Sequence, residues 1–187
     1  MDRATNDEKA QDVCSVMGLK IPPSNNDIYI SQSEENNEYI DNILEHVARG
    51  WQVFPCKADK TPHTADGFKS ASKDTDQIRR WWATWPTALV GVATGERSGL
   101  LVIDVDVKDG AKGLESLRQL VSVNGELPTT WVAETRSGGF HYFFKNVTGA
   151  KCSISKLGSG IDVRADGGYV IVAPSHGYRW LSQGVQS

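Results

Sequence analysis

One short stretch, residues 99–110, constrains the fold of this chain more than any other. It runs Gly-Leu-Leu-Val-Ile-Asp-Val-Asp-Val-Lys-Asp-Gly, and its first half is a continuous apolar run rich in β-branched residues. Such a run predicts a buried β-strand. Asp104 and Asp106 end this run two residues apart, so on a strand their side chains point to the same face.

Two carboxylates on one face at the end of a buried strand indicate a bound cation, because an unpaired buried carboxylate is strongly unfavourable. Hard divalent ions such as Mg²⁺ prefer carboxylate oxygens. Neighbouring carboxylates can also bridge the two ions of a two-metal site, which lie roughly 3.5–4 Å apart. The alternative is that Asp104 and Asp106 only mark the point where the strand leaves the core. The isolated pattern supports both interpretations, and the rest of the chain favours the metal site.

Composition is typical of a globular protein with a single core. Hydrophobic residues make up 39% of the chain and charged residues 23%, and no apolar run approaches the roughly 20 residues that cross a bilayer. The first residues show neither the basic flank nor the apolar segment of a signal peptide. Cys14, Cys56 and Cys152 lack zinc-ligand spacing and indicate reduced thiols. We therefore expect a cytoplasmic protein without a membrane partner.

Charge divides the chain into two parts near Glu38. Residues 1–38 hold three basic and eight acidic residues, for a net charge of −5. Residues 39–187 hold 17 basic and 15 acidic residues, for a net charge of +2, which permits a local basic groove. We predict that residues 1–38 form an acidic, largely disordered tail or linker, and that residues 39–187 form one folded domain.

Hydrophobic periodicity predicts three helices and eight strands after this tail. Helical patterns cover residues 39–49, 75–85 and 112–123. Strand patterns cover residues 51–55, 88–94, 99–106, 130–135, 140–144, 161–164, 169–174 and 178–181. The second and third strands are expected to form a hairpin, and the last an edge strand. Trp81, Trp82 and Trp85 of the second helix have the spacing of core residues, which favours packing over base stacking.

Two further clusters could join the acidic pair. The segment Ser137-Gly138-Gly139-Phe140-His141 combines a glycine turn, whose N–H groups can approach an anion, with two possible phosphate donors, Ser137 and His141. Asp162 and Arg164 share one strand face and pair a third metal carboxylate with a guanidinium suited to phosphate. The structural alternatives are a core histidine at His141 and a plain ion pair between Asp162 and Arg164.

A basic loop lies between residues 56 and 72. It contains Lys57, Lys60, His63 and Lys69. Such a loop is usually solvated, and less often it contacts phosphate or nucleic acid.

The order of these motifs resembles the N-terminal domain of bifunctional DNA primase/polymerases, the prim-pol branch of the archaeo-eukaryotic primase superfamily. The resemblance covers roughly residues 39–182, almost the whole predicted domain. Each motif alone is weakly specific, but the set is strong because the motifs occur in this order with compatible spacing. The matching stretches are residues 50–55, 67–69, 77–86, 90–95, 99–106, 137–141 and 160–170.

The resemblance implies an α+β fold in which an N-terminal α/β module packs on an RRM-like antiparallel sheet, with the active-site cleft between them. Residues 39–187 would then be a primase/polymerase catalytic domain. The implied activity is template-directed nucleotidyl transfer from an NTP or dNTP on single-stranded or primed DNA. A plasmid, phage or mobile element is the implied replicon, and a helicase domain or subunit is an implied partner, as in larger members of the family.

The resemblance also assigns roles to the candidate site residues. By it, Asp104, Asp106 and Asp162 are the carboxylates that bind two divalent ions, Mg²⁺ or Mn²⁺. Ser137 and His141 would hold the triphosphate of the incoming nucleotide, so His141 joins the three acids as an expected catalytic residue. Two further residues, Arg136 and Arg164, are extrapolated as phosphate contacts.

Two other functions stay open at the level of sequence. A non-catalytic replication module that binds DNA or a helicase would keep only the shell of the site. A glycosyltransferase can also use Asp-x-Asp with a divalent ion and a nucleotide-sugar, although the other two clusters would then have no role. Nucleotide binding that requires a divalent metal would separate the polymerase from the binding module.

Overall fold

The structure is a computed structural model that describes residues 25–182, with side chains from residue 37 onward except at residue 109. The chain divides into two units between Glu38 and Tyr39, and all the contacts below lie in the second. Helix α1 (Asn25–Ala48) begins 14 residues before the helical pattern predicted from residue 39. Residues 25–38, which belong to the predicted tail, are helical. Once a helix has begun, each further residue adds one backbone hydrogen bond, so it can continue without an apolar face. The prediction of disorder at residues 1–24 lies outside the described residues.

Every other helix and strand predicted from sequence is present, with ends shifted by a few residues. The remaining helices are α2 (Thr75–Thr84) and α3 (Gly113–Asn124). The strands are β1 (Val53–Cys56), β2 (Leu89–Ala93), β3 (Leu100–Val105), β4 (Trp131–Glu134), β5 (Phe140–Lys145), β6 (Ile161–Arg164), β7 (Tyr169–Val172) and β8 (Arg179–Ser182). Short 3₁₀ helices lie at Gly67–Ser70 and Lys108–Gly110.

The strands form two antiparallel sheets. The smaller sheet has the order β1-β2-β7, and the larger has the order β6-β3-β5-β4-β8. This arrangement confirms the expected α+β class, and β8 is an edge strand as predicted. The smaller sheet is not built from the N-terminal half alone, because β7 supplies its third strand from the C-terminal half.

Strands β2 and β3 do not form the hairpin that their closeness in sequence predicts. They belong to different sheets, and only a bridge between Gly95 and Leu100 links their ends. Gly95 has a φ of +77°, and a Cβ there would collide with Asp166, so glycine is required where the chain passes between the sheets. The apolar pattern specifies which residues are buried, but not which strands pair.

The main core joins α1, α2 and both sheets, which fixes the sheets against each other. Helix α2 is capped by Asp74, whose side chain accepts hydrogen bonds from the N–H groups of Asp76 and Gln77. Each large side chain that is fully buried contributes roughly 1.5–3 kcal/mol to stability. The fully buried members of this core include Ile43, Trp51, Ile78, Leu100, Val102 and Phe143.

The two cysteines in the described part of the chain, Cys56 and Cys152, are free thiols. Burial, with a contribution from Asp59, raises the pKa of Cys56 to about 12, which makes it a poor nucleophile. Cys14 lies outside the described residues.

No helix within residues 25–182 is long and apolar enough to cross a membrane.

Candidate active site

Three neighbouring strands of the larger sheet carry three predicted site residues in one row. The register places Asp104 of β3 opposite His141 of β5 and opposite Asp162 of β6. Because directly opposed residues in antiparallel strands share a face, these three side chains point the same way. Val102 and Phe143 lie two residues away on this face and are completely buried. The row therefore lies where the core of the sheet ends.

The carboxylates of Asp104 and Asp162 converge on one nitrogen of Arg164. The Nη2 atom of Arg164 lies 2.8 Å from Oδ2 of Asp162 and 3.6 Å from Oδ2 of Asp104. The other oxygen of each carboxylate has a different neighbour. The N–H group of Ser155 donates to Oδ1 of Asp162 at 3.0 Å, and Nε2 of His141 lies 3.4 Å from Oδ1 of Asp104. A cationic atom thus lies between the two inner carboxylate oxygens.

His141 differs from a core histidine whose hydrogen bonds are satisfied. It is only 5% exposed, and its Nδ1 atom has no hydrogen-bond partner within the described residues. Leaving a buried polar atom without a partner costs about 1–3 kcal/mol. The rings of Phe143 and Tyr178, at 6.0 and 6.3 Å, limit how far the imidazole can turn. The ring is thus held in place with Nε2 toward Asp104 and with Nδ1 unpaired within the described residues.

The surroundings of Asp104 keep it ionised. Burial acts to raise the pKa of this carboxyl, but the hydrogen bond and charge of His141 outweigh it, with help from Arg164 and Lys60. The net result is a pKa below the ordinary value. A metal-binding carboxylate must be deprotonated, and Asp104 meets this condition at neutral pH.

A cavity of about 360 Å³, which we call the basic cavity, opens over this row. This volume lies within the range of about 300–1,000 Å³ that is common for small-molecule sites. The larger sheet and the smaller sheet both contribute to its wall, so the cavity occupies the cleft that the fold predicts. Its lining consists of Lys60, Phe68, Asp104, His141, Cys152, Arg164, residues 167–171 and Tyr178.

Lys60 is a site residue that sequence reasoning placed only in a basic loop. This part of the loop is a tight turn in which Lys60 N–H donates to the carbonyl of Lys57 and the side chain of Asp59 accepts from Thr61. Lys60 itself has a φ of +73°, which is uncommon for a residue other than glycine. The Asp-Lys-Thr-Pro sequence is a turn signal that could have indicated this geometry. The turn brings Lys60 to the same cavity as Asp104.

Asp106 lies on a different cavity. This acidic cavity, also of about 360 Å³, is lined by Asp106, Lys108, Gly110, Ala111, Ile154, Ser155, Gly160 and Asp162. The backbone of Asp106 is fixed by a hydrogen bond from its N–H to Gly160 and one to its carbonyl from Gly113. The three predicted acids are thus divided between two cavities. The Asp162–Arg164 ion pair lies between them, with Asp162 on the acidic side and Arg164 on the basic side.

Ser137 and Arg136 lie on the exposed turn between β4 and β5, and neither lines the basic or the acidic cavity. The turn is closed by a hydrogen bond from Thr135 N–H to the carbonyl of Gly139. A Cβ at Gly139 would lie 2.5 Å from the carbonyl oxygen of Val105, so this close approach to β3 requires glycine. Arg136 donates to the carbonyl of Ala58 at 3.0 Å, which ties this turn to the one that holds Lys60.

A comparison with known families places the chain. The profile of the Prim-Pol family, described as bifunctional DNA primase/polymerase, N-terminal, matches residues 43–186, well over half of the sequence. The chain belongs to the Prim-Pol family. This match confirms the resemblance carried by the sequence motifs and spans both cavities. A search of the curated proteins found no significant match. Membership of the Prim-Pol family supports a primase or polymerase type of function in replication, with DNA and nucleotides as substrates.

The donor set of this Prim-Pol domain fits a hard divalent cation. No three His, Cys, Asp or Glu side chains within residues 37–182 are grouped closely enough to hold a metal as they stand. However, Asp104 and Asp162 turn one oxygen each toward the positively charged nitrogen of Arg164, which stands in for a cation. Asp106 offers a third carboxylate from the acidic cavity. Carboxylate oxygens are the ligands that Mg²⁺ and Mn²⁺ prefer.

Proposed function

We propose that this Prim-Pol domain is a template-directed nucleotidyltransferase that synthesises or extends primers during replication of a plasmid, phage or mobile element. The observation that supports this most directly is the convergence of Asp104 and Asp162 on one cationic nitrogen, beside the unpartnered Nδ1 of the buried His141. Nucleotidyl transfer needs both features together, because it requires carboxylates for metal ions and a fixed donor for phosphate.

Asp104, Asp106 and Asp162 are the proposed ligands of two divalent ions, which, when bound, activate the attacking 3′-hydroxyl and stabilise charge on the leaving pyrophosphate. The reaction forms a bond between the 3′-oxygen of the primer and the α-phosphorus of the nucleotide. It breaks the bond between the α-phosphorus and the oxygen that bridges to the β-phosphate. Asp104 and Asp162 lie on adjacent strands, so the sheet holds both ligands rigidly.

The residues of the basic cavity orient the nucleotide and offset its charge. His141 lines this cavity and turns Nε2 toward Asp104, while its buried Nδ1 has no hydrogen-bond partner within the described residues. The imidazole is the proposed hydrogen-bond donor to a phosphate oxygen of the nucleotide. Lys60 and Arg164 supply two further positive charges on the same wall. Ser137 and Arg136 would reach the triphosphate only if their turn moves toward the cavity.

The two cavities suggest how the substrates are divided. The basic cavity, with Lys60, His141 and Arg164, suits the triphosphate of the incoming nucleotide. The acidic cavity lies on the other side of the Asp162–Arg164 pair and has no comparable cluster of cations among its lining residues. We assign it to the primer end, whose 3′-hydroxyl must approach the metal-binding carboxylates from the side opposite the leaving group.

An extension assay with Mg²⁺ or Mn²⁺ tests this function. One reaction contains a primed template with dNTPs, and the other contains unprimed single-stranded DNA with labelled NTPs and dNTPs. We expect metal-dependent extension that the double variant Asp104→Ala/Asp106→Ala lacks and that the control Asp66→Ala, an exposed acid outside both cavities, retains. New short products in the second reaction would add primase activity. Activity that survives in the double variant would contradict the proposed site.

A folded protein that is inactive in both reactions would instead favour the non-catalytic replication module. Circular dichroism of each variant supplies the folding control. Binding of a fluorescent dNTP with and without Mn²⁺ then separates the two functions, since a binding module has no need for metal-dependent nucleotide binding.

A further inference from the structure

The position of Arg164 between two acids has a consequence for how the site binds metal. Asp104 and Asp162 lie directly opposite each other on adjacent strands, and like charges in that position repel each other. A single atom, Nη2 of Arg164, contacts one oxygen of each carboxylate, at 2.8 and 3.6 Å. The two acid side chains are only 12–15% exposed, so solvent screens their repulsion weakly. Arg164 is therefore their counter-ion in the metal-free protein.

The basic cavity is the place to which the Arg164 side chain can move. Its side chain is 33% exposed and lines the basic cavity together with His141 and Lys60. A divalent ion bound by the same carboxylate oxygens lies about 2.0–2.1 Å from them in the case of Mg²⁺, so the guanidinium nitrogen cannot keep its position. The displaced guanidinium already faces the cavity assigned to the nucleotide, where phosphate oxygens accept its N–H groups.

We propose that Arg164 is a displaceable counter-ion that couples metal binding to nucleotide binding, an inference that rests on the proposed function. In the metal-free state, Nη2 of the guanidinium is held by Asp104 and Asp162, where it neutralises the metal ligands. Its N–H groups on that nitrogen are then engaged by carboxylate rather than by phosphate. Metal binding releases it toward the nucleotide. Because coupling between two ligands is reciprocal, the nucleotide favours the metal by the same factor.

Metal binding without nucleotide gives the first test. In isothermal titration with Mn²⁺, Arg164→Gln should bind about three- to tenfold more tightly than the wild-type domain, because the competing cation is gone. Lys57→Gln is the charge-matched control, since it removes one positive charge from an exposed lysine that lines neither cavity. Arg179→Gln is the residue-matched control, because its ion pair with Glu134 lies on the edge strand β8. Both controls should stay within about twofold of wild type.

Nucleotide binding gives the second test. The affinity for a fluorescent dNTP is measured without metal and at saturating Mn²⁺, in the absence of DNA so that no transfer occurs. The ratio of the two affinities is the coupling factor. We expect this factor to fall about three- to tenfold in Arg164→Gln, because the released guanidinium no longer contributes. In Lys60→Gln, both affinities should fall together and leave the ratio almost unchanged.

A measurement on the wild-type chain covers the case in which Arg164→Gln does not fold. Nitrogen-detected NMR of the arginine guanidinium groups, assigned with Arg164→Lys, reports the environment of this side chain directly. Addition of Mg²⁺ should change the Arg164 signal and leave that of Arg179 unchanged. A domain that binds Mg²⁺ with an unchanged Arg164 signal would overturn the inference, as would equal Mn²⁺ affinities in the wild type and Arg164→Gln. A wild-type domain that binds neither ion would overturn the proposed function as well, which distinguishes the two failures.

Discussion

The hydroxyl of Tyr169 donates a hydrogen bond to the backbone carbonyl of Lys60 at 3.1 Å. This bond joins the first residue of β7 to the turn that carries Lys60. The ring of Tyr169 is itself fixed, with Phe54 at 5.3 Å and Phe68 at 6.2 Å. Lys60 thus has a left-handed backbone conformation at the basic cavity. The hydrogen bond from Tyr169, a residue of the smaller sheet, fixes the turn in this position.

Lys60→Gln should weaken nucleotide binding more than it slows chemistry. Lys60 is one of the cations of the basic cavity, and its charge helps to lower the pKa of Asp104. We expect the KM for dNTP to rise about tenfold, with kcat changed less than about threefold. The matched control is Lys57→Gln, which removes an exposed lysine of the same turn that does not line the cavity. Steady-state extension kinetics measures both constants, and equal effects of the two substitutions would contradict this role for Lys60.

Tyr169→Phe should loosen the turn without removing any charge. Loss of the hydrogen bond to Lys60 is expected to lower the free energy of unfolding by about 1 kcal/mol. The KM for dNTP should rise about two- to threefold, because Lys60 becomes less well positioned. Urea unfolding and extension kinetics measure the two effects. Tyr142→Phe serves as the control, since burial alone raises the pKa of the Tyr142 hydroxyl, with no hydrogen bond contributing. A similar loss of unfolding free energy and a similar rise in KM in both variants would contradict this role for Tyr169.

The strand faces that carry the site residues could be predicted from sequence, because the face on which a side chain lies follows from strand periodicity. Asp104 and Asp106 marked the end of one strand, and Asp162 with Arg164 marked one face of another. The register that places Asp104 opposite both His141 and Asp162 was not in the pattern, since each of these pairings joins segments far apart in the chain. The same limit explains why β2 and β3 were wrongly expected to form a hairpin.

The residues whose positions at the site were hardest to predict from sequence lie in loops. Lys60 reaches the cavity because of a turn with a positive φ, which no hydrophobic period encodes. Asp106, which the sequence places on the same face as Asp104, lies one residue beyond β3, where hydrogen bonds to Gly113 and Gly160 fix its backbone at the acidic cavity. In α1, the apolar and aromatic residues between 25 and 38 are three consecutive ones, Ile28, Tyr29 and Ile30, so they gave no amphipathic signal before Tyr39.

Asp106→Ala and Asp162→Ala should separate catalysis from stability. Asp162 is buried and accepts hydrogen bonds from Ser155 and Arg164, so its removal takes this acceptor from the Ser155 N–H and leaves Arg164 with only its longer contact to Asp104. We expect Asp162→Ala to lose about 1–3 kcal/mol of unfolding free energy, whereas Asp106→Ala should stay within about 0.5 kcal/mol of wild type. Both should lose at least about 100-fold in extension rate. Urea unfolding supplies the stability data, and full activity in Asp106→Ala would remove that residue from the metal site.

The burial of His46 should lower the free energy of unfolding in mild acid. It is 2% exposed, its Nε2 donates to the carbonyl of Ala173 at 2.6 Å, and its Nδ1 accepts from Arg49 at 3.1 Å. Burial, reinforced by the charge of Arg49, lowers the pKa of His46 from 6.5 to about 4. Between these two pH values the unfolded chain binds a proton that the folded chain does not. This imbalance destabilises the fold by roughly 1.4 kcal/mol for each pH unit below 6.5, and has no effect above it.

The measurement is urea unfolding at pH 7.5, 6.5, 5.5 and 4.5 for the wild type and His46→Gln. The glutamine can still donate to Ala173, but it does not titrate. Carboxylates contribute a common slope to both proteins at the acid end, so the difference between the two curves isolates His46. We expect this difference to be constant above pH 6.5 and to shrink by about 2–3 kcal/mol on going down to pH 4.5. Parallel curves over the whole range would show that His46 has the same pKa in the folded and the unfolded chain. The prediction that the buried imidazole stays neutral in mild acid would then be wrong.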